Sequence, residues 1–292
     1  MTRKERTILY TQASVCADHL TLPLRSQVWR GMAGEFQGAG TGSSIDFQDH
    51  RAYVPGDDPR HINWHAYART GHYSMKLYRE EVRPVIDIIL DASESMFFEP
   101  VKAARTAELL YFATLSAIQA GASTRIHALR GNSHTTLPID AITTHHWLEC
   151  VNALQPDGSA SPLALDQIQL RGNAIRLVIS DLLFEGDPAQ PLKRLSRQQG
   201  KPIILAPFLQ SEANPHWSGN YEFIDVEQGG QHPHRIEKST LNHYHKAYTN
   251  HFTSWRAAAR QFNTPLARVC ADTPLLDALN AEAIQAGALS IA

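Results

Sequence analysis

The sequence predicts an α/β fold: a mostly parallel sheet with helices on both faces, preceded by a small β-rich lobe. Three observations point there. Residues 85–90 and 174–180 are short, almost wholly apolar runs bounded by turn residues, as expected of strands buried on both faces. From residue 84 onward such runs alternate with helical patterns, which argues for parallel strands joined by helices. Residues 45–83 are rich in aromatics, charges and β-formers, broken by the strong turn Pro55-Gly56-Asp57-Asp58-Pro59-Arg60. The expected division is therefore residues 1–83, a leading helix with the β-rich lobe, and residues 84–292, the α/β domain with a C-terminal helical extension. At 292 residues and 43% hydrophobic, the chain has ample material for a core.

Taken in order, residues 8–37 read as helical before loosening into the Gly- and Ser-rich turn at 38–44. Short strands are expected near 46–54 and 73–81. Beyond the strand at 85–90 come a helix over 101–119, strands at 124–129 and 134–139 around Gly131-Asn132, and a helix over 141–154. A short helix at 163–168 leads to the strand at 174–180, a helix at 192–199 and a third buried strand at 202–209. The tail adds a strand near 221–226, a long helix near 240–262, a strand near 265–270 and a closing helix near 274–286.

The chemistry concentrates where the first buried strand ends. Val85-Ile86-Asp87-Ile88-Ile89-Leu90 runs directly into Asp91-Ala92-Ser93-Glu94-Ser95. In open α/β sheets ligands bind beyond the carboxyl ends of strands. Asp91, Ser93 and Ser95 fall on that edge at i, i+2 and i+4. A carboxylate and two hydroxyls are hard oxygen donors, suited to Mg²⁺ or Mn²⁺. A second strand-end carboxylate, Asp181, follows Ile175-Arg176-Leu177-Val178-Ile179-Ser180. A third loop, Gly158-Ser159-Ala160-Ser161-Pro162, can add a hydroxyl from Ser161, with Ser159 the near-equal alternative. A cation held mostly by neutral oxygens keeps its charge and can take a carboxylate from a partner. The simpler alternative is that each Asp or Ser caps the helix after its strand.

Other functions are weaker on the sequence. A haloacid dehalogenase-type phosphotransferase needs a second Asp where Ser93 stands, and an unactivated hydroxyl cannot serve as its general acid. No Gly-x-Ser-x-Gly elbow activates a serine. Gly38-Ala39-Gly40-Thr41-Gly42 lacks the Gly-Lys-Ser/Thr ending of a phosphate loop. The fifteen histidines, including His145-His146, His232-Pro233-His234 and His243-Tyr244-His245, do not form a zinc motif and read as surface or helix-face residues. Arg60, Trp64, Tyr67 and Arg69 mix bases and aromatics, yet at net charge −2 no wide basic field accompanies them. Lobe packing and Arg–carboxylate pairing are expected of them, and no nucleic acid. No apolar run reaches the ~18–20 residues that span a bilayer. Cys16, Cys150 and Cys270 make neither a disulfide framework nor a CxxC motif, so a cytoplasmic location is expected.

These residues also carry a resemblance. Asp91-Ala92-Ser93-Glu94-Ser95 resembles the Asp-x-Ser-x-Ser that opens the metal-ion-dependent adhesion site (MIDAS) of von Willebrand factor A-type domains. Asp46-Phe47, Arg51-Ala52-Tyr53-Val54-Pro55-Gly56-Asp57-Asp58-Pro59-Arg60-His61-Ile62-Asn63-Trp64 and Ala68-Arg69-Thr70 are similar to the signature of the bacterial domain of unknown function 58 family. Phe223-Ile224-Asp225-Val226-Glu227-Gln228-Gly229 resembles that family's later segment. The likeness spans roughly residues 25–290. It implies a von Willebrand A-like core, with Asp91, Ser93 and Ser95 as the first metal loop, Ser159 or Ser161 in the middle loop and Asp181 in the last. Gly56, Asp57, Asp58, Arg60, Trp64 and Arg69 are the family signature, read as structural. Relatives carry Asp where this chain has Asn63, a change that would weaken a pairing with a nearby Arg. Many relatives are membrane-anchored, and the family's genes often neighbour those of MoxR-type AAA+ ATPases involved in assembly, maturation or stress response. The expected role is thus a non-enzymatic, metal-dependent module that binds a MoxR-like ATPase or its client. The alternative is a metal-dependent phosphoesterase using Asp91 and Asp181, with Asp57 or Asp58 supplied by the lobe.

Overall fold

Six strands of the chain's larger unit pair into one sheet, and their apolar alternation explains how. A computed structural model describes residues 1–23, 45–56, 59–80, 84–155, 163–224 and 230–292. In chain order its elements begin with helix α1 (Arg3–His19), strand β1 (Leu20–Thr21), β2 (Ile45–Ala52), α2 (Trp64–Thr70) and β3 (Ser74–Glu80). Next come β4 (Val85–Asp91), a short α3 (Glu94–Phe97), α4 (Pro100–Gln119), β5 (Ser123–Arg130), β6 (Ser133–Leu137), α5 (Ile139–Thr143) and α6 (Trp147–Asn152). The remainder is β7 (Ile175–Ile179), α7 (Ala189–Leu195), β8 (Lys201–Phe208), α8 (Gln210–Ala213), β9 (Gly219–Ile224) and β10 (Gln231–Ile236). Then follow α9 (Lys238–Gln261), β11 (Leu266–Cys270), α10 (Leu275–Glu282) and β12 (Ser290–Ile291).

The sheet order is β11-β8-β7-β4-β5-β6, parallel throughout except for the β5–β6 hairpin. β4 lies in the middle, with Leu90 opposite Ile179 of β7 and Asp91 opposite Leu129 of β5. Successive residues of a strand point to opposite faces, and the core divides accordingly. Ile86, Ile88, Leu90, Leu177 and Leu205 pack with Ala13 and Cys16 of α1, Leu110 of α4 and Leu279 of α10. Ile89, Val178 and Ile204 face the other way, onto Leu192 and Leu195 of α7 and Phe252 and Trp255 of α9. The fold is a mixed α/β architecture with a mostly parallel central sheet, as its apolar runs predicted.

The chain divides into two compact units, Met1–Arg30 with Pro84–Ala292, and Gly31–Arg83. The leading helix therefore groups with the α/β unit and not with the lobe. Its buried residues, Ala13, Cys16 and Ala17, join the α4 face of the core, and Arg6 forms a two-pronged ion pair with Glu149 at 2.9 Å. The helix also starts earlier than its apolar pattern suggested. Thr2 and Glu5 form a reciprocal capping box at its first turn. It ends at His19, where Leu20 turns extended and pairs with Ile291. The single helix expected over 141–154 is two short ones, because His145 takes a left-handed φ of 66° between them.

Within the smaller unit β2 and β3 pair antiparallel. The helix α2 between them was not anticipated. Asn63 caps it by accepting a hydrogen bond from the Ala66 amide, and Gly71 ends it at φ 69°. Asn63 thus acts as a cap. Trp64 does not pack inward as expected: it is 56% exposed, edge-on to Tyr67 and Tyr73. Among the described residues of this unit only Ile62 and Met75 are buried hydrophobics.

Candidate functional site

β4 delivers Asp91 to the carboxyl edge of the sheet as its last residue, buried to 7% exposure. There the chain turns, and the carboxylate organises the turn. Its Oδ1 accepts the Ser93 amide at 3.0 Å, and its Oδ2 accepts the Ser180 hydroxyl from the end of β7 at 2.6 Å. Ser180 Oγ in turn accepts the Leu182 amide at 3.1 Å, which ties two strand ends together. Ser93 stands at the N-cap position of α3, yet its hydroxyl makes no capping bond. That hydroxyl lies 3.2 Å from Ser95 Oγ. The capping alternative therefore fails for Ser93, and the two hydroxyls face one another beside a buried carboxylate.

Asp181 is also at this edge, but its side chain is committed. Oδ2 takes the Lys102 ammonium at 2.7 Å and Oδ1 accepts the Leu183 amide at 3.0 Å. Lys102, from the first turn of α4, reaches in turn to Glu212 Oε1 at 2.8 Å. The lysine side chain is 1% exposed. Burial alone would lower its pKa, yet the charges of Asp181 and Glu212 prevail and raise it. Glu212 is held from both sides: its Oε2 accepts the Leu209 amide at 2.9 Å, and its carbonyl accepts the Tyr244 hydroxyl at 2.7 Å.

Electrostatically the edge is short of positive charge. Burial, and then the charge of Asp181, push the Asp91 carboxyl up to about 6, against the hydrogen bonds of Ser180 and Ser93. Three carboxylates meet one ammonium, and among the described residues none of the ion pairs falls on Asp91. Among those residues no three His, Cys, Asp or Glu side chains form a ready-made metal cluster. A cation here would rest on Asp91 and the two hydroxyls. Their separation fits: adjacent oxygens of an octahedral Mg²⁺ with bonds of ~2.0–2.1 Å stand roughly 2.9–3.0 Å apart, close to the observed 3.2 Å.

The predicted residues thus fare differently. Asp91, Ser93 and Ser95 come together, with Asp181 near enough to act on Asp91 but bound to Lys102. Ser159, Ser161, Asp57 and Asp58 lie outside the described residues. Gly56, with φ 109°, exposed Arg60 and Arg69, and Trp64 belong to the smaller unit. Sequence reasoning missed Ser180, Lys102 and Glu212. One signal was present for Lys102: a lysine in the first turn of a helix opposes the macrodipole and calls for an acidic partner.

Among the described residues no helix is long and apolar enough to cross a membrane. Among solved structures, an aerotolerance-related membrane protein from Bacteroides fragilis, carrying multiple mutations to serines, is 19% identical. It covers 62% of this chain and 98% of its own, with a TM-score of 0.32. The conserved hypothetical protein BatB from Bacteroides thetaiotaomicron is 14% identical over 60% of this chain and 99% of its own, at a TM-score of 0.31. Likenesses this shallow establish neither fold nor activity, and no curated protein matches. Residues 49–254 match the family described as Protein of unknown function DUF58, which is most of the chain, and the protein belongs to that family.

Proposed function

We propose that the α/β unit is a von Willebrand A-like, non-enzymatic binding module that captures a partner's carboxylate through a divalent cation, Mg²⁺ or Mn²⁺. Asp91, Ser93 and Ser95 would hold the ion, Asp181 would add its charge from behind Lys102, and Ser161 or Ser159 would supply the third loop. The cation's contribution is a strong, directional acceptor site for an outside carboxylate oxygen. The observation that carries this reading is the pair of hydroxyls 3.2 Å apart, with Ser93 free of capping duty, beside a buried carboxylate that no basic side chain among the described residues neutralises. The partner implied by the family resemblance is a MoxR-type ATPase or that ATPase's client.

The test is capture of the purified MoxR-type ATPase from the same organism by the immobilised full chain. Binding should require Mg²⁺, disappear with EDTA and fall at least about tenfold in Ser95→Ala and in Asp91→Ala, in line with loss of a metal ligand. If neither EDTA nor Asp91→Ala changes capture, this edge is not the docking point. A second reading draws on the Asp91 carboxyl standing at about 6 beside Asp181, an arrangement also used for acid–base work. It makes the protein a metal-dependent phosphoesterase. Turnover of phosphoesters with Mg²⁺ or Mn²⁺, lost in Asp91→Asn, would favour it over a pure binding module.

A further inference from the structure

The metal reading leaves one buried group unexplained: a lysine already occupies the acidic edge. Lys102 is the third residue of α4, where the peptide dipole disfavours a cation. Its ammonium is nevertheless buried, 2.7 Å from Asp181 and 2.8 Å from Glu212. Each of these carboxylates spends one oxygen on Lys102 and the other on a backbone amide, Leu183 for Asp181 and Leu209 for Glu212. Asp91, on the adjoining strand end, has only neutral donors among the described residues. The edge is therefore split into a neutralised half and an unneutralised half.

We propose that Lys102 is a built-in counter-cation that keeps Asp181 and Glu212 from ligating the divalent ion, so that Asp91 is its only carboxylate contact. This rests on the metal reading above. The consequence is a bargain between two affinities. With a single carboxylate ligand the ion is held weakly but keeps most of its charge for an incoming acid. With three carboxylates it would be held tightly and left with little to offer, since ligand charge count sets the affinity of such sites. Lys102 is a positioning residue, acting through the two carboxylates it restrains.

The test is Mn²⁺ binding to the full chain, read as loss of the free-ion electron paramagnetic resonance signal. Lys102→Met should bind Mn²⁺ at least about tenfold more tightly than wild type, because a second carboxylate becomes available. Lys102→Met with Glu212→Gln keeps the cluster's net charge at its wild-type value and should retain most of the gain. Lys102→Met with both Asp181→Asn and Glu212→Gln should lose it. The charge-balanced double variant also carries the test if Lys102→Met alone does not fold. Should wild type bind Mn²⁺ through Asp91 while the folded Lys102 variants bind no tighter, the role given to Lys102 falls and the metal reading survives. Should the charge-balanced variant lose the whole gain, Lys102 acts only through the general field and the inference is overturned. If wild type binds none and the variants bind well, Lys102 fills the cation's place outright, and both the metal reading and the inference are overturned for the native protein. If none binds, both ideas fall.

Discussion

The central strand carries two aspartates four residues apart, on the same face and both buried, and their company is opposite. Asp87 is wholly buried and accepts the Arg171 guanidinium Nε at 2.7 Å and the Arg171 amide at 2.8 Å. Across the sheet it lies opposite Arg125 of β5 and Arg176 of β7. Asp91 has an amide, a hydroxyl and a second carboxylate for neighbours. A buried carboxylate must be compensated or its ionisation becomes costly. At the start of β4 the fold supplies the compensation itself. At the carboxyl end, where α/β sheets bind ligands, it gives Asp91 no counter-charge among the described residues. The first aspartate is a finished structural part; the second is an incomplete one.

The most forceful way to break this comparison is to remove each carboxylate and measure stability. Asp87→Ala leaves Arg171 without its carboxylate, and a loss of about 3–5 kcal/mol is expected, read as a lower urea midpoint. Asp91→Asn should go the other way. A carboxyl whose folded value is about 6, above the ordinary 3.8, holds its proton longer when folded than when unfolded. Wild-type stability therefore falls as pH rises from about 4 to about 6, and the penalty is fully present at neutral pH. Asparagine escapes it, so Asp91→Asn should be more stable than wild type by ~1–3 kcal/mol at pH 7.5 and equal to it near pH 4. If Asp91→Asn is destabilised at pH 7.5, as Asp87→Ala is, the two aspartates do the same job and the contrast is wrong.

The sequence made one half of this contrast legible. Asp91, Ser93 and Ser95 are close in the chain, so spacing alone brought them forward, and the buried strands β4, β7 and β8 were visible as apolar runs. The compensating groups are distant in sequence: Arg171 lies 84 residues from Asp87, and Lys102 lies 79 from Asp181 and 110 from Glu212. Such pairings follow from strand order, which no local pattern reveals. Asp87 itself was hidden inside Val-Ile-Asp-Ile-Ile-Leu, where the run announced a strand and drew attention away from its one charge. Local chemistry misled as well. β10 escaped notice because Pro233 interrupts it, and a proline demotes a strand to an edge. Among the described residues it pairs only with β9, in a separate two-stranded sheet.

A finer test uses the neighbouring strand. His127 of β5 lies opposite Ile89, midway between the two aspartates, and is 4% exposed. Neither ring nitrogen has a hydrogen-bond partner among the described residues. Burial lowers its pKa more than the Asp87 charge raises it, with Arg125, His134 and Arg171 adding to the lowering. A histidine with a depressed folded value stays neutral while the unfolded chain takes up a proton, so it costs stability as pH falls below the ordinary 6.5. His127→Leu, similar in size and without polar atoms to satisfy, should match or slightly exceed wild-type stability at pH 7.5, within about 1 kcal/mol. Between pH 7.5 and 5.5 its advantage should grow, at no more than ~1.4 kcal/mol per pH unit below 6.5. Because both proteins keep Asp91, that group's opposing pH dependence cancels in the difference. A gap that stays constant with pH would mean that the folded His127 takes up its proton as readily as the unfolded chain does, the Asp87 charge offsetting its burial.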